Sequence, residues 1–222
     1  MATDTFVIYD SGVTNPDRVV IEHSPAFPNW GLYFRDQGDD ALIFQRAGAP
    51  VMSVVIGNGR VGIGTANPSA SLEVDGDVRV TGDIFLTNAD CAEEFDVADV
   101  EDMEPGTVVV LGADGRLSRA REAYDKRVAG VISGAGGLRP GITLGKRAGR
   151  PRLPLAVMGK VFCKADASYG SITAGDLLTT SPTPGHAMRA ADRMQALGAI
   201  IGKALMPLPQ DRGLVPMLVA LQ

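Results

Sequence analysis

Between Leu72 and Leu86 apolar and polar residues alternate almost without exception. The even positions hold Leu72, Val74, Gly76, Val78, Val80, Gly82, Ile84 and Leu86; the odd positions from Glu73 to Asp83 are polar, and only Phe85 departs. A period of two predicts a β-strand buried on one face. Unbroken, the run would span roughly 50 Å at about 3.3 Å per residue, so Gly76 and Gly82 are expected to bend it into three short pieces. Each piece offers two apolar side chains, too few to form a core. Cover must come from elsewhere: from copies of the chain about an axis, as a β-prism or interwoven shaft that also closes the strand edges, or from a meander packed on the same chain.

Upstream, the pattern predicts a β-meander over residues 1–59. Its strands are expected at 18–22, 31–35, 41–46 and 51–56, with turn chemistry at 37–40, 48–50 and 57–59. The loop HSPAFPNW (23–30) carries Phe27 and the only tryptophan, Trp30. These rings either plug the end of the meander or offer rigid contact area for a sugar or a partner, with Tyr33 close by in sequence. Downstream, residues 90–104 crowd Asp and Glu together and read as the joint between two halves.

The second half contains an internal repeat. PGTVVVLGADGRLSRA followed by YDKRVAGVIS is echoed by AGDLLTTSPTPGHAMRA followed by QALGAIIGKA. Each copy has a glycine (Gly106, Gly175), a β run, a glycine turn (Gly115, Gly185) and an apolar residue before alanine (Leu117 and Ala120; Met188 and Ala190). A small-residue strand closes each copy, at 128–132 and 197–201. Such a unit cannot bury its own face and should pack on its twin, giving a small barrel or sandwich. Residues 155–163 are expected to form a central strand, 213–221 a closing one, and 191–196 a helical turn.

This outlines an all-β protein with three parts: 1–59, a meander or β-prism; 60–92, a shaft segment; and 93–222, a domain carrying the repeat at 105–133 and 174–204. A length of 222 residues with 27 glycines and 14 prolines fits turn-rich structure. A net charge of −5 argues against a nucleic-acid partner. No apolar run approaches the length of a membrane-spanning helix, and MATDTFVIYD lacks the features of a secretory signal. Cys91 and Cys163 match no metal spacing and are expected as buried free thiols, or as one bridge in an oxidising compartment. His23 and His186 are the only histidines, and neither stands in a nucleophile-elbow context. The glycine string 133–137 is not followed by a helical pattern, which weakens a dinucleotide loop. No cofactor or metal is expected, the acidic joint being read as solvated charge in preference to a calcium site.

The segment VGIGTANPSASLEVDGDVRVTGDI resembles the VGIGT-x-x-P-x-x-x-L-x-V-x-G segment of bacteriophage tail fibres and related surface fibres. That resemblance implies a homotrimer in which Leu72, Val74, Val78, Val80, Ile84 and Leu86 face a shared axis. It also implies a role in attachment or surface recognition on a virion or tail-like particle, released to the extracellular space. Contact with a cell-surface polysaccharide or another particle protein is then expected at Phe27, Trp30 and Tyr33, and at Tyr169 and His186. Separately, Asp90-Cys91-Ala92-Glu93-Glu94-Phe95 with Val128–Ser133 resembles the self-cleaving C-terminal domain of phage appendage proteins. Carried over, Glu93 and Asp125 would form a carboxylate pair, with Asp90 in reserve, and Cys91 departs from the aromatic usual after the first Asp. A decoration or capping protein of a larger particle is a further alternative. The first expectation is non-enzymatic.

Overall fold

In the computed structural model the described residues are 20–22, 31–35, 40–88, 90–98, 100–101, 103–147 and 149–220. The fold is all-β, with strand in 47% of the chain and helix in 6%. It divides into two compact units, Met1–Ile84 and Phe85–Gln222.

The first unit is a six-stranded sheet in sequential order: β1 (Val20–Glu22), β2 (Gly31–Arg35), β3 (Ala41–Arg46), β4 (Ala49–Val55), β5 (Arg60–Ile63) and β6 (Leu72–Val74). The first five run antiparallel: β1–β4 fall in the meander expected over 1–59, and β5 joins their sheet from the segment expected as a shaft. Ala47 and Gly48, both at positive φ (51° and 81°), make the tight link between β3 and β4, the backbone that a two-residue hairpin requires. Ala41, Ile43 and Val55 form the buried cluster.

The link from β5 to β6 explains the glycines of the VGIGT string. β6 pairs with β5 in parallel, so the chain must return within residues 64–71, short for a parallel connection. The return is tight enough that a Cβ on Gly62 would lie 2.4 Å from the Thr65 carbonyl oxygen. The buried Ser53 hydroxyl donates to that same oxygen at 2.9 Å, and Arg60 reaches the Pro68 carbonyl at 3.0 Å. Glu73 accepts the Ser69 hydroxyl at 2.7 Å. The motif is thus a self-packed strand–loop–strand.

Beyond Val74 the expected strand pieces do not form. Residues 75–88 carry no strand in the single chain. The reason is physical: an extended run lasts only where its N–H and C=O groups find a neighbouring strand, and none is paired with it.

The second unit is built on the 15-residue strand β12 (Arg152–Asp166). Its first half pairs with β7 (Asp90–Asp96) and its second half with β16 (Arg212–Val219), both antiparallel. β11 (Pro140–Leu144) lies parallel to β7 on the outer edge. The pairings from β12 to β14 (Ala187–Arg189), β13 (Leu177–Thr180), β15 (Ile200–Ala204), β16 and back to β12 close a five-stranded barrel. A separate three-stranded sheet holds β8 (Val108–Leu111) between β10 (Val128–Val131) and β9 (Leu117–Arg119). Val108, Val110 and Val131 from this sheet share one buried cluster with Val161, Cys163, Leu178, Ile201 and Met217 from the barrel.

The repeat survives into the backbone. In each copy the first strand is central, flanked by its hairpin partner and by the third strand. Gly106 N–H donates to Ile132 O at 2.7 Å, and Gly175 N–H to Ala204 O at 2.8 Å. Ala120 N–H donates to Val108 O, and Ala190 N–H to Leu177 O. Both third strands slip register by one residue at the same place, before Gly130 and before Gly202. One expectation needs correction: the third strand of the second copy starts at Ile200, three residues later than the glycine spacing implied. The short helix α1 (Arg193–Ala196) occupies the difference, its first turn capped by the Asp192 carboxylate.

Candidate functional site

Residues 162, 164 and 166 of β12 alternate with Val161, Cys163 and Ala165, which point into the barrel and are fully buried. The antiparallel register sets Lys164 opposite Leu214 and Asp166 opposite Arg212. The outer side of this strand pair is the floor of a cavity of about 560 Å³. Its walls are the Glu104–Pro105 turn, the 3₁₀ turn Ala135–Gly137 and the turn that carries His186. Gly136 is required there, because a Cβ at that position would meet the Phe162 ring at 2.4 Å.

One buried carboxylate organises the site. Asp166, 1% exposed, accepts the Ser168 N–H at 2.9 Å, the Thr183 hydroxyl at 2.6 Å and the Arg212 Nε–H at 2.9 Å. Burial alone would raise its pKa, but the donors from Thr183, Ser168 and Arg212 outweigh burial and hold the carboxyl well below the usual range. The Thr183 hydroxyl lies 3.1 Å from that of Tyr169, whose ring is about half exposed. Lys164 donates to Glu104 at 2.8 Å, which lowers the pKa of that carboxyl. His186 Nδ1 is 2.9 Å from the Pro184 carbonyl. A carbonyl only accepts, so Nδ1 carries the proton, and in the neutral ring Nε2 presents a lone pair.

Of the expected contact residues, His186 lines this cavity and Tyr169 joins its supporting network. Tyr33 lies on β2, its backbone paired with Val20 and Ile43. Phe27 and Trp30 lie outside the described residues, as does His23. Sequence reasoning did not single out Lys164, Arg212, Asp166 or Glu104. Lys164 and Asp166 share β12, but Glu104 and Arg212 are far from them along the chain, and only the β12–β16 register and the Pro105 turn bring the four together.

The carboxylates expected as a catalytic group are placed differently from one another. Asp125 is held by Arg127, Nε–H to Oδ1 at 3.0 Å and Nη2–H to Oδ2 at 2.6 Å, which lowers its pKa. Its backbone N–H donates to Thr180 Oγ1 at 2.8 Å. The hydrogen-bonding partner of its carboxylate is thus the Arg127 guanidinium. Glu93 is half-buried on β7, between Leu144 of β11 and Leu155 of β12. Asp90, at the start of β7, is buried with neither carboxylate oxygen hydrogen-bonded. Burial pushes its pKa up, and the nearby Ser133 hydroxyl, itself buried and unbonded, offsets only part of that.

The residues expected at a trimer axis are largely uncovered. Leu72, Val78 and Ile84 are 62%, 68% and 66% exposed, and Val80 and Leu86 about half. Val74 alone is partly covered. Among the described residues no group of three or more His, Cys, Asp or Glu is arranged to hold a metal, and no helix is long and apolar enough to cross a membrane. Both cysteines are free; Cys163 is buried and Cys91 is only partly so, which corrects the expectation of two buried thiols. The chain matches no protein-family model and no curated protein.

Proposed function

We propose that this chain is a non-enzymatic fibre or spike protein of phage-tail type. It assembles as a homotrimer along residues 60–88 and attaches a particle to a surface. The observation that carries the reading is the uncovered strip at 72–86. Apolar side chains on alternate positions are exposed, and beyond β6 the backbone of residues 75–86 pairs with no strand. Large apolar side chains exposed repeatedly within one short segment are what an unpartnered interaction surface presents. Its period of two fits a strand waiting for a neighbour, and copies of the same chain supply neighbours in register. Three identical sites on one axis would then convert weak contacts into tight attachment through effective concentration.

Attachment is tested by adding fluorescently labelled protein to intact bacterial cells and washing. The reading expects retention that falls in His186→Ala or in Trp30→Ala with Tyr33→Ala; equal retention of all variants and of an unrelated β protein would contradict it.

A second reading, self-cleavage near the joint, draws on Asp90. A buried, unbonded carboxyl with a raised pKa is the kind of group that transfers protons. It expects a second band to grow with time on a denaturing gel, absent in Asp90→Asn and Glu93→Ala. A single stable band removes it.

A further inference from the structure

We infer that the groove over Lys164, His186, Arg212 and Leu214 is a binding site for an uncharged saccharide. This rests on the attachment reading and gives it a ligand class. The argument is one of charge and of donor and acceptor type. The two cations of the groove are each matched by an anion, Lys164 by Glu104 and Arg212 by Asp166. The cavity therefore holds no surplus positive charge to draw in a carboxylate or phosphate. It also presents both kinds of hydrogen-bonding group. The Arg212 terminal nitrogens and the Lys164 ammonium donate, while the Glu104 carboxylate and the His186 Nε2 lone pair accept. An anion accepts only, and would face the last two unfavourably. A sugar hydroxyl does both at once, so vicinal hydroxyls satisfy the whole set.

The floor supplies the other half of the match. Leu214 is about half exposed between these polar groups, an apolar patch for the C–H face of a pyranose ring. The polar groups are held ready before any ligand arrives. Asp166 fixes Arg212 through Nε, and the Pro184 carbonyl fixes the imidazole through Nδ1, which limits the ordering cost of binding.

The test is titration of isotopically labelled protein, followed through the amide resonances of Gly136, Gly213 and Leu214. The probes are glucose, galactose and N-acetylglucosamine against glucuronate and glucose 6-phosphate. At least one neutral sugar is expected to shift these amides more strongly than either anion. His186→Ala, a turn residue outside the core, should weaken that response by about three- to tenfold, the value of one hydrogen bond. Glu104→Gln removes one anion from the balance and should raise the response to glucuronate relative to glucose. Groove amides silent to every neutral sugar up to its solubility limit, or shifted only by the anions, overturn the inference. A silent groove in a trimeric protein overturns the groove alone. A responsive groove in a single-chain protein supports it while overturning the trimer.

Discussion

Replacing Val78 and Ile84 together by serine probes the strip where the two accounts of it differ most. Each side chain is about two-thirds exposed in the single chain. Fully burying a Val or Ile stabilises by about 1.5–3 kcal/mol, so covering the remaining two-thirds contributes roughly 1 kcal/mol for Val78 and up to about 2 kcal/mol for Ile84. The pair is then worth about 2.5 kcal/mol per chain. In a threefold assembly the loss occurs three times. The three-chain association should weaken by roughly 8 kcal/mol, between five and six powers of ten in its constant. If the strip faces water in solution, the same change should stay within about 0.5 kcal/mol per site, as for other exposed positions. Sedimentation equilibrium over a concentration series reads the difference directly, with circular dichroism confirming that the strands of each unit remain. A double variant with the parent's mass at every concentration and the parent's stability would refute the reasoning.

Other perturbations test the site and its surroundings. Asp166→Ala removes the cap of a 3₁₀ turn, at about 1 kcal/mol, and deprives the buried Thr183 hydroxyl of its acceptor, at about 1–3 kcal/mol. Arg212 is exposed enough to turn to water at little loss. The second unit should lose about 3 kcal/mol in urea denaturation; a change near zero would remove Asp166 as the organiser of the groove. Its pH dependence follows from a depressed carboxyl. The stabilisation is present above the unfolded-state value near 4 and is lost as pH falls toward the folded-state value, so Asp166→Asn should flatten the acid limb of stability. Asp90 has the opposite sign. Its folded-state pKa is raised, so its contribution is fully present below the unfolded-state value and is lost as pH rises through the folded one. Asp90→Asn should therefore be more stable than the parent at neutral pH, and a less stable variant would count against an unbonded carboxyl. In the native protein a thiol reagent at mildly alkaline pH should modify Cys91 and spare Cys163, whose thiol burial pushes up to about 12. Labelling of Cys163 at the same rate would show that the barrel interior opens readily.

How far the sequence could be read depends on where each signal resides. β2 and β3 begin and end where the strand pattern and the turn residues place them, and β3, which buries Ala41 and Ile43 on one face, writes that period into its own residues. The duplication was visible as glycine spacing, since Gly106 and Gly175 close equivalent backbone bonds. The offset of Ile200 was not, because the α1 turn behind Asp192 changes the length of the second copy without disturbing its motif. The glycines of VGIGT do not announce in sequence the tight return they serve, in which Gly62 answers to Thr65 three residues away. The groove was legible only at His186, in a turn rich in proline and glycine. Lys164 and Arg212 look like ordinary surface cations in sequence; a strand register 48 residues apart gives them a common cavity.

The central claim is that apolar positions left bare by one chain are covered by others. Static light scattering on the purified protein, at micromolar concentration, tests it most directly. The account predicts the mass of three chains. The mass of one chain would contradict it, whether Leu72, Val78 and Ile84 are open to solvent labelling or protected from it.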